Sequence, residues 1–192
     1  MLESELQWIA QARQGDQQAF RQLVHAHARK TRVLCLRITR DEGLADDAVQ
    51  ETFYNVWRRL DTFDERAAFS TWLHRIAVNA ALEQLRRNSR HRNERGSGAY
   101  RDEDGHGEDF LEALADDEPG PEDRASGQQM AWRIGEGMAS LSAAERAAFV
   151  LRHCEGRGLV DIAEILSMNT GQCKQAIFRA VRKLRSALES VR

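Results

Sequence analysis

Apolar positions recur every three or four residues along most of the chain, and no stretch alternates long enough to read as a strand. The pattern predicts an all-α fold. Leu6, Ile9, Ala10 and Arg13 mark a short first helix ended by Gly15. Asp16 is placed to cap a second, whose Phe20, Leu23, Val24, His27, Leu34 and Ile38 keep helical spacing to Arg40. A third runs from Leu44 to Leu60 with Ala45, Val49, Thr52, Phe53, Val56 and Leu60 inward. A loop over 61–68 carries Phe63, and a fourth helix starts near Ser70 and runs into the arginines around Arg90. Further on, the pattern predicts a helix ending near Gly135 or Ser140, then one from Ser142 to His153 opened by the capping-box sequence Ser142-Ala143-Ala144-Glu145. Leu159–Leu166, a turn at Ser167-Met168-Asn169, and a last helix over Thr170–Glu189 complete the series.

Two of these helices divide into faces when phased at about 100° per residue. On the fourth, Leu73, Ile76, Ala77 and Ala80 form a core side. Trp72, Arg75, Asn79, Glu83, Arg86 and Arg90 line up on another. Charge alone would suit a solvated face. An indole heading the stripe is more useful as a stacking platform, and an amide offers a base edge both a donor and an acceptor. On the last helix Cys173, Ile177, Ala180, Val181, Leu184 and Leu188 read inward, and Lys174, Gln175, Phe178, Arg179, Arg182 and Arg185 outward. With the preceding short helix and the turn, this is a helix-turn-helix pattern, small Ala163 permitting the close crossing.

Charge changes the picture by segment. Residues 1–95 carry net +3 and residues 129–192 net +4, whereas residues 96–128 carry net −9, hidden beneath a total of −2. Both prolines and six of the thirteen glycines also fall within 96–128. Such a composition buries too little apolar surface to order itself, so two helical domains, 1–95 and 129–192, are expected on either side of a flexible acidic linker. Six of thirteen aromatic residues lie between Phe53 and Trp72, directly before the basic stretch from Arg75 to Arg95, the pairing that grips unpaired bases and their phosphates. No apolar run approaches the roughly 18–20 residues of a membrane span, no signal peptide is visible, and three widely spaced cysteines fit a reducing compartment. A cytoplasmic protein without membrane insertion is expected.

Several of these stretches resemble the extracytoplasmic-function sigma factors of bacterial RNA polymerase. Ala45-Asp46-Asp47-Ala48-Val49-Gln50-Glu51-Thr52-Phe53 resembles the polymerase-binding helix of region 2. Asp61-Thr62-Phe63-Asp64 and the run Phe69 to Asn79 resemble the promoter-melting segment, and Leu141 to Leu188 resembles region 4. The resemblance implies that Asp47, Gln50 and Glu51 bind core RNA polymerase. It implies that Phe63, Trp72 and Asn79 hold a flipped base of the minus-ten element while Arg75, Arg86 and Arg87 steady the backbone. Lys174, Gln175, Phe178, Arg179 and Arg182 would read the minus-thirty-five element. Promoter DNA and a cognate anti-sigma factor are the other implied partners. Ser167 stands where the family favours Gly, Cys173 where Val is usual, Ala176 for a frequent Arg, Gln175 for Ser, and Glu83 for Asp.

Two other classes compete with this reading. An autonomous helix-turn-helix regulator would explain residues 130–188 but leaves the aromatic loop without a purpose. A metalloenzyme would need ligands at matching spacing. His25 and His27 are two apart, on different helix faces, and no Cys-x-x-Cys or His-Glu-x-x-His is present. No metal, no cofactor and no catalytic residue is therefore expected.

Overall fold

The computed structural model describes residues 2–94 and 134–189, all-α with no strand among them. The acidic connector expected over 96–128 lies outside the described residues. Helix α1 spans Leu2–Arg13, α2 Gln17–Thr39, α3 Glu42–Arg59 and α4 Phe69–Glu94, with a 3-10 turn at Leu60–Thr62. A short helical segment over 134–139 precedes α5, Ala143–Phe149, which continues into a π-helical turn at Val150–Cys154. Helices α6, Leu159–Ile165, and α7, Thr170–Glu189, follow.

Local chemistry sets these boundaries. Gly15 takes φ +90° after α1, and Asp16 accepts hydrogen bonds from the Gln18 and Ala19 amides to start α2. Asp41 caps α3 through the Leu44 amide, so that helix begins two residues earlier than its apolar pattern implies. Ser142 and Glu145 form the full capping box of α5, with Lys183 of α7 reaching the Glu145 carboxylate at 2.7 Å. Gly137 lets α7 approach, since a Cβ there would lie 2.9 Å from Leu184 Cδ2.

The first module buries Ile9, Ala19, Leu23, Val56, Leu60, Phe63, Phe69 and Leu73 in one cluster. A second cluster crosses between modules. It combines Leu34, Cys35 and Ile38 of α2 and Ala77, Val78 and Ala81 of α4 with Leu151, Ile162, Cys173 and Ala180 of the C-terminal half. The inward assignments mostly hold, but Leu188 is exposed, at an open groove that it lines with Met138, Phe149 and Val181. Val49 and Phe53 are only half-buried, while Ala48 takes a fully buried place on α3.

Candidate nucleic-acid interface

The loop after α3 is held by α1. Arg13 donates to the carbonyls of Leu60 and Phe63 and to the Glu65 carboxylate, and its guanidinium lies 5.9 Å from the Phe63 ring centroid. Phe63 is only 3% exposed, with its ring 5.5 Å from those of Phe69 and Trp72. A phenyl ring in a tethered loop gains more from packing there than from facing water, so Phe63 does not present a stacking face in this arrangement. Trp72, half-buried in front of it, does border open space.

That space is a cleft of about 350 Å³ between α3 and α4. Glu51, Asn55 and Arg59 form one wall. Trp72, Arg75, Ile76, Asn79, Ala80 and Glu83 form the other. Among the described residues no hydrogen bond occupies the side-chain amides of Asn55 or Asn79. The cleft thus combines an indole, two open amides and two guanidiniums, the set that stacks a base, reads its edge and holds flanking phosphates. Asn55 and Arg59 escaped the sequence reading because they lie on the helix assigned to polymerase. Only the packing of α3 on α4 brings them opposite Asn79.

The basic residues beyond the cleft are not equally free. Glu83 receives Arg86 at 3.5 Å, Arg87 at 3.3 Å and Arg90 at 3.1 Å. Desolvation pushes its carboxyl up, but hydrogen bonds from Arg87 and Arg86 and the surrounding charges outweigh this and hold it below the usual carboxylate range. Arg87 also reaches Glu51 at 3.2 Å, with Gln84 donating to the same oxygen at 3.1 Å. Glu51 therefore faces α4, whereas Asp47 and Gln50 are exposed on α3. Tyr54, 60% exposed beneath the Arg58 guanidinium, extends the α3 surface one turn further.

In the second module α6 and α7 are joined by a tight turn over residues 166–169. Ser167 takes φ +54°, the left-handed conformation that glycine adopts more readily. Asn169 and Gln172 bond each other's amides at 2.8 and 3.0 Å and so cap α7. Cys173, Ala176, Ala180 and Leu184 are buried, and Lys174, Gln175, Arg179 and Arg182 are exposed along the opposite face with Phe178, 66% exposed. Burial pushes the Cys35 thiol up to about 12. Among the described residues no helix is long and apolar enough to cross a membrane, and no group of three or more His, Cys, Asp or Glu could hold a metal ion.

An amide- and guanidinium-lined cleft on one helical module and a helix-turn-helix on the other are features that suit a DNA-binding protein. Residues 23–91 match the Sigma-70 region 2 family and residues 132–184 the Sigma-70 region 4 family. The ECF RNA polymerase sigma factor SigW of Bacillus subtilis is 30% identical over 186 residues, covering 95% of this chain and 96% of the relative. Among solved structures, CnrH in complex with the cytosolic domain of CnrY is 25% identical with a TM-score of 0.61, covering 98% of this chain and 99% of that one. The sigma factor RpoE bound to the anti-sigma factor NepR from Bartonella quintana shares the fold at TM-score 0.64, with 22% identity over 90% of this chain and 98% of that one. The chain belongs to the extracytoplasmic-function sigma factors, the subunits that direct bacterial RNA polymerase to promoters.

Proposed function

We propose that the α3–α4 cleft is where this sigma factor captures an unpaired base of the minus-ten element. Trp72 supplies the stacking face, Asn55 and Asn79 address the base edge, and Arg59 and Arg75 hold the adjoining phosphates. Phe63 serves from behind, fixing the Trp72 ring. Arg86 and Arg87 lie farther along the strand, and their attraction to phosphate is moderated by Glu83 and Glu51. Asp47 and Gln50 meet core polymerase with Tyr54 beside them, and Glu51 acts there through α4. Lys174, Gln175, Phe178, Arg179 and Arg182 read the minus-thirty-five duplex. The protein works in the cytoplasm as a non-enzymatic subunit. It is held inactive by a cognate anti-sigma factor, as NepR is bound to RpoE.

The observation that carries this reading is the pair of asparagines lining one cleft beside an indole. Run-off transcription with core polymerase, followed by permanganate mapping of unpaired thymines, tests it. Asn79→Ala should lower promoter opening on the order of tenfold, the worth of about one base contact, with core affinity unchanged. Equal loss of opening and of core binding would refute the cleft assignment.

A further inference from the structure

Helix α1 lies ahead of residues 23–91, the part of the first module that matches region 2. It is anchored at both ends. Near its start Glu5 meets His27 of α2 at 2.7 Å, and the His27 ring stands edge-on to Phe69 at 5.3 Å. Ile9 and Ala12 are buried in the cluster that also holds Phe63, Phe69 and Leu73. Arg13, the last residue of α1, then reaches into the loop over 61–68. One guanidinium meets three groups there: Nε donates to the Leu60 carbonyl at 3.3 Å, one terminal nitrogen to the Phe63 carbonyl, and the other to the Glu65 carboxylate at 2.9 Å.

The loop needs an outside hold. Glu65 takes φ +62°, a left-handed conformation that a non-glycine residue keeps only where its surroundings impose it. Asp64 accepts the Arg66 amide at 3.2 Å and the Arg66 guanidinium at 2.7 Å, bonds that shape the turn but lie within it. Arg13 supplies the link to another helix. Its planar fork suits the task, because donors in fixed directions can serve two carbonyls and a carboxylate together, which one ammonium cannot. The same guanidinium lies over the Phe63 ring at 5.9 Å, and that ring meets Trp72 at 5.5 Å. A chain of contacts thus runs from α1 through Phe63 to the indole that borders the cleft.

We propose that Arg13 is a positioning residue for promoter opening. From α1 it holds the loop over 61–68 in one conformation, so that Phe63 backs Trp72 at the angle on which a captured base stacks. Arg13 acts through the loop and needs no contact with DNA. The effect on base capture rests on the cleft assignment made above; the hold on the loop does not. Helix α1, outside the part of the chain that matches region 2, thereby gains a share in the choice of base.

The full-length chain carrying Arg13→Ala or Arg13→Lys tests this, free and as a holoenzyme with core polymerase. Trypsin cuts the free protein after Arg66, exposed in the loop, and after Lys30 within α2, where the helix must first open. Arg13→Ala should raise cleavage at Arg66 relative to Lys30 about tenfold, because cleavage follows the open population of each site. Loss of global stability would raise both alike. One round of selection from randomised single-stranded DNA then reads base capture by the holoenzyme. Wild type should enrich one base at one position on the order of tenfold, and Arg13→Ala should lower this to about twofold. A smaller folded fraction reduces the yield of bound DNA but not the enrichment, so the second reading separates positioning from folding. Arg13→Lys should fall between the two on both readings, and a lysine variant equal to wild type overturns the need for the fork. An unchanged Arg66-to-Lys30 ratio in Arg13→Ala overturns the hold on the loop. Selective cleavage with enrichment kept overturns the role in base capture. Asn79→Ala reports separately on the cleft: enrichment kept in that variant refutes the cleft assignment, and the cleavage ratio still decides what Arg13 does.

Discussion

Replacing Phe63 by alanine separates two roles that an aromatic residue in a melting loop can play. The ring is 3% exposed and meets Phe69 edge-on and Trp72 at a tilt, both at 5.5 Å, with the Arg13 guanidinium over it. Truncating a buried Phe costs about 3–5 kcal/mol through lost transfer energy and the cavity left behind. The two ring pairs contribute about 0.5–1.5 kcal/mol each within that figure. The loop cannot collapse freely to fill the space, because Arg13 ties the Leu60 and Phe63 carbonyls. The expected loss is therefore about 4 kcal/mol. At a urea slope of about 2 kcal/mol per molar, the unfolding midpoint falls by about 2 M. Phe63→Leu, which keeps most of the volume, should cost under about 1.5 kcal/mol. Chemical denaturation followed by tryptophan fluorescence reads both. A midpoint within about 0.3 M of wild type for Phe63→Ala, together with defective promoter opening, would refute the argument and return the ring to the DNA.

Other consequences are open to measurement. Asn55→Ala should change which base is preferred at one minus-ten position by on the order of tenfold, with basal transcription from a matched promoter retained; equal loss at every promoter variant would make Asn55 structural. His74 is pushed down to about 4, first by burial and then by the charges of Arg157, His27 and Lys30, so the unfolded chain takes up a proton that the fold refuses. Stability conferred by neutral His74 is thus complete above about pH 6.5 and shrinks as pH falls towards 4, by about 2 kcal/mol between pH 7 and 5. Urea midpoints at those two pH values should show this slope in wild type and lose it in His74→Gln. Ser142→Ala removes one arm of the α5 capping box and should cost about 1 kcal/mol by the same assay. Arg179→Ala should lower affinity for minus-thirty-five duplex DNA and reduce the slope of log K against log salt by about one; an unchanged slope would place Arg179 away from phosphate.

What could be read in the sequence followed from local physics. Asp16, the Ser142–Glu145 box, the glycine after α1 and the outward face of α7 each depend on residues within one or two turns, and each stands in the structure as its spacing implies. Helix phasing also separated Trp72, Arg75 and Asn79 from the core side of α4. It says nothing of the burial of Phe63, because a loop has no period. Whether that ring faces in or out depends on Arg13, far away in the chain. Nor does phasing place Asn55 and Arg59 beside α4, because only the packing of the two helices makes them part of one cleft.

The same limit explains why an arginine count overstates the basic surface. In sequence, Arg75, Arg86 and Arg87 read as equivalent phosphate contacts, with Arg90 on the same stripe. In the structure each has a carboxylate: Glu164 from the other module for Arg75, Glu83 for Arg86 and Arg90, and Glu83 with Glu51 for Arg87. These exposed pairs are individually weak, on the order of 1 kcal/mol or less, and a DNA strand with its higher charge density displaces them. The Arg75–Glu164 pair is as exposed as the others, so a side-chain rotation releases it too. The arginine beside the cleft differs only in that its carboxylate comes from the other module.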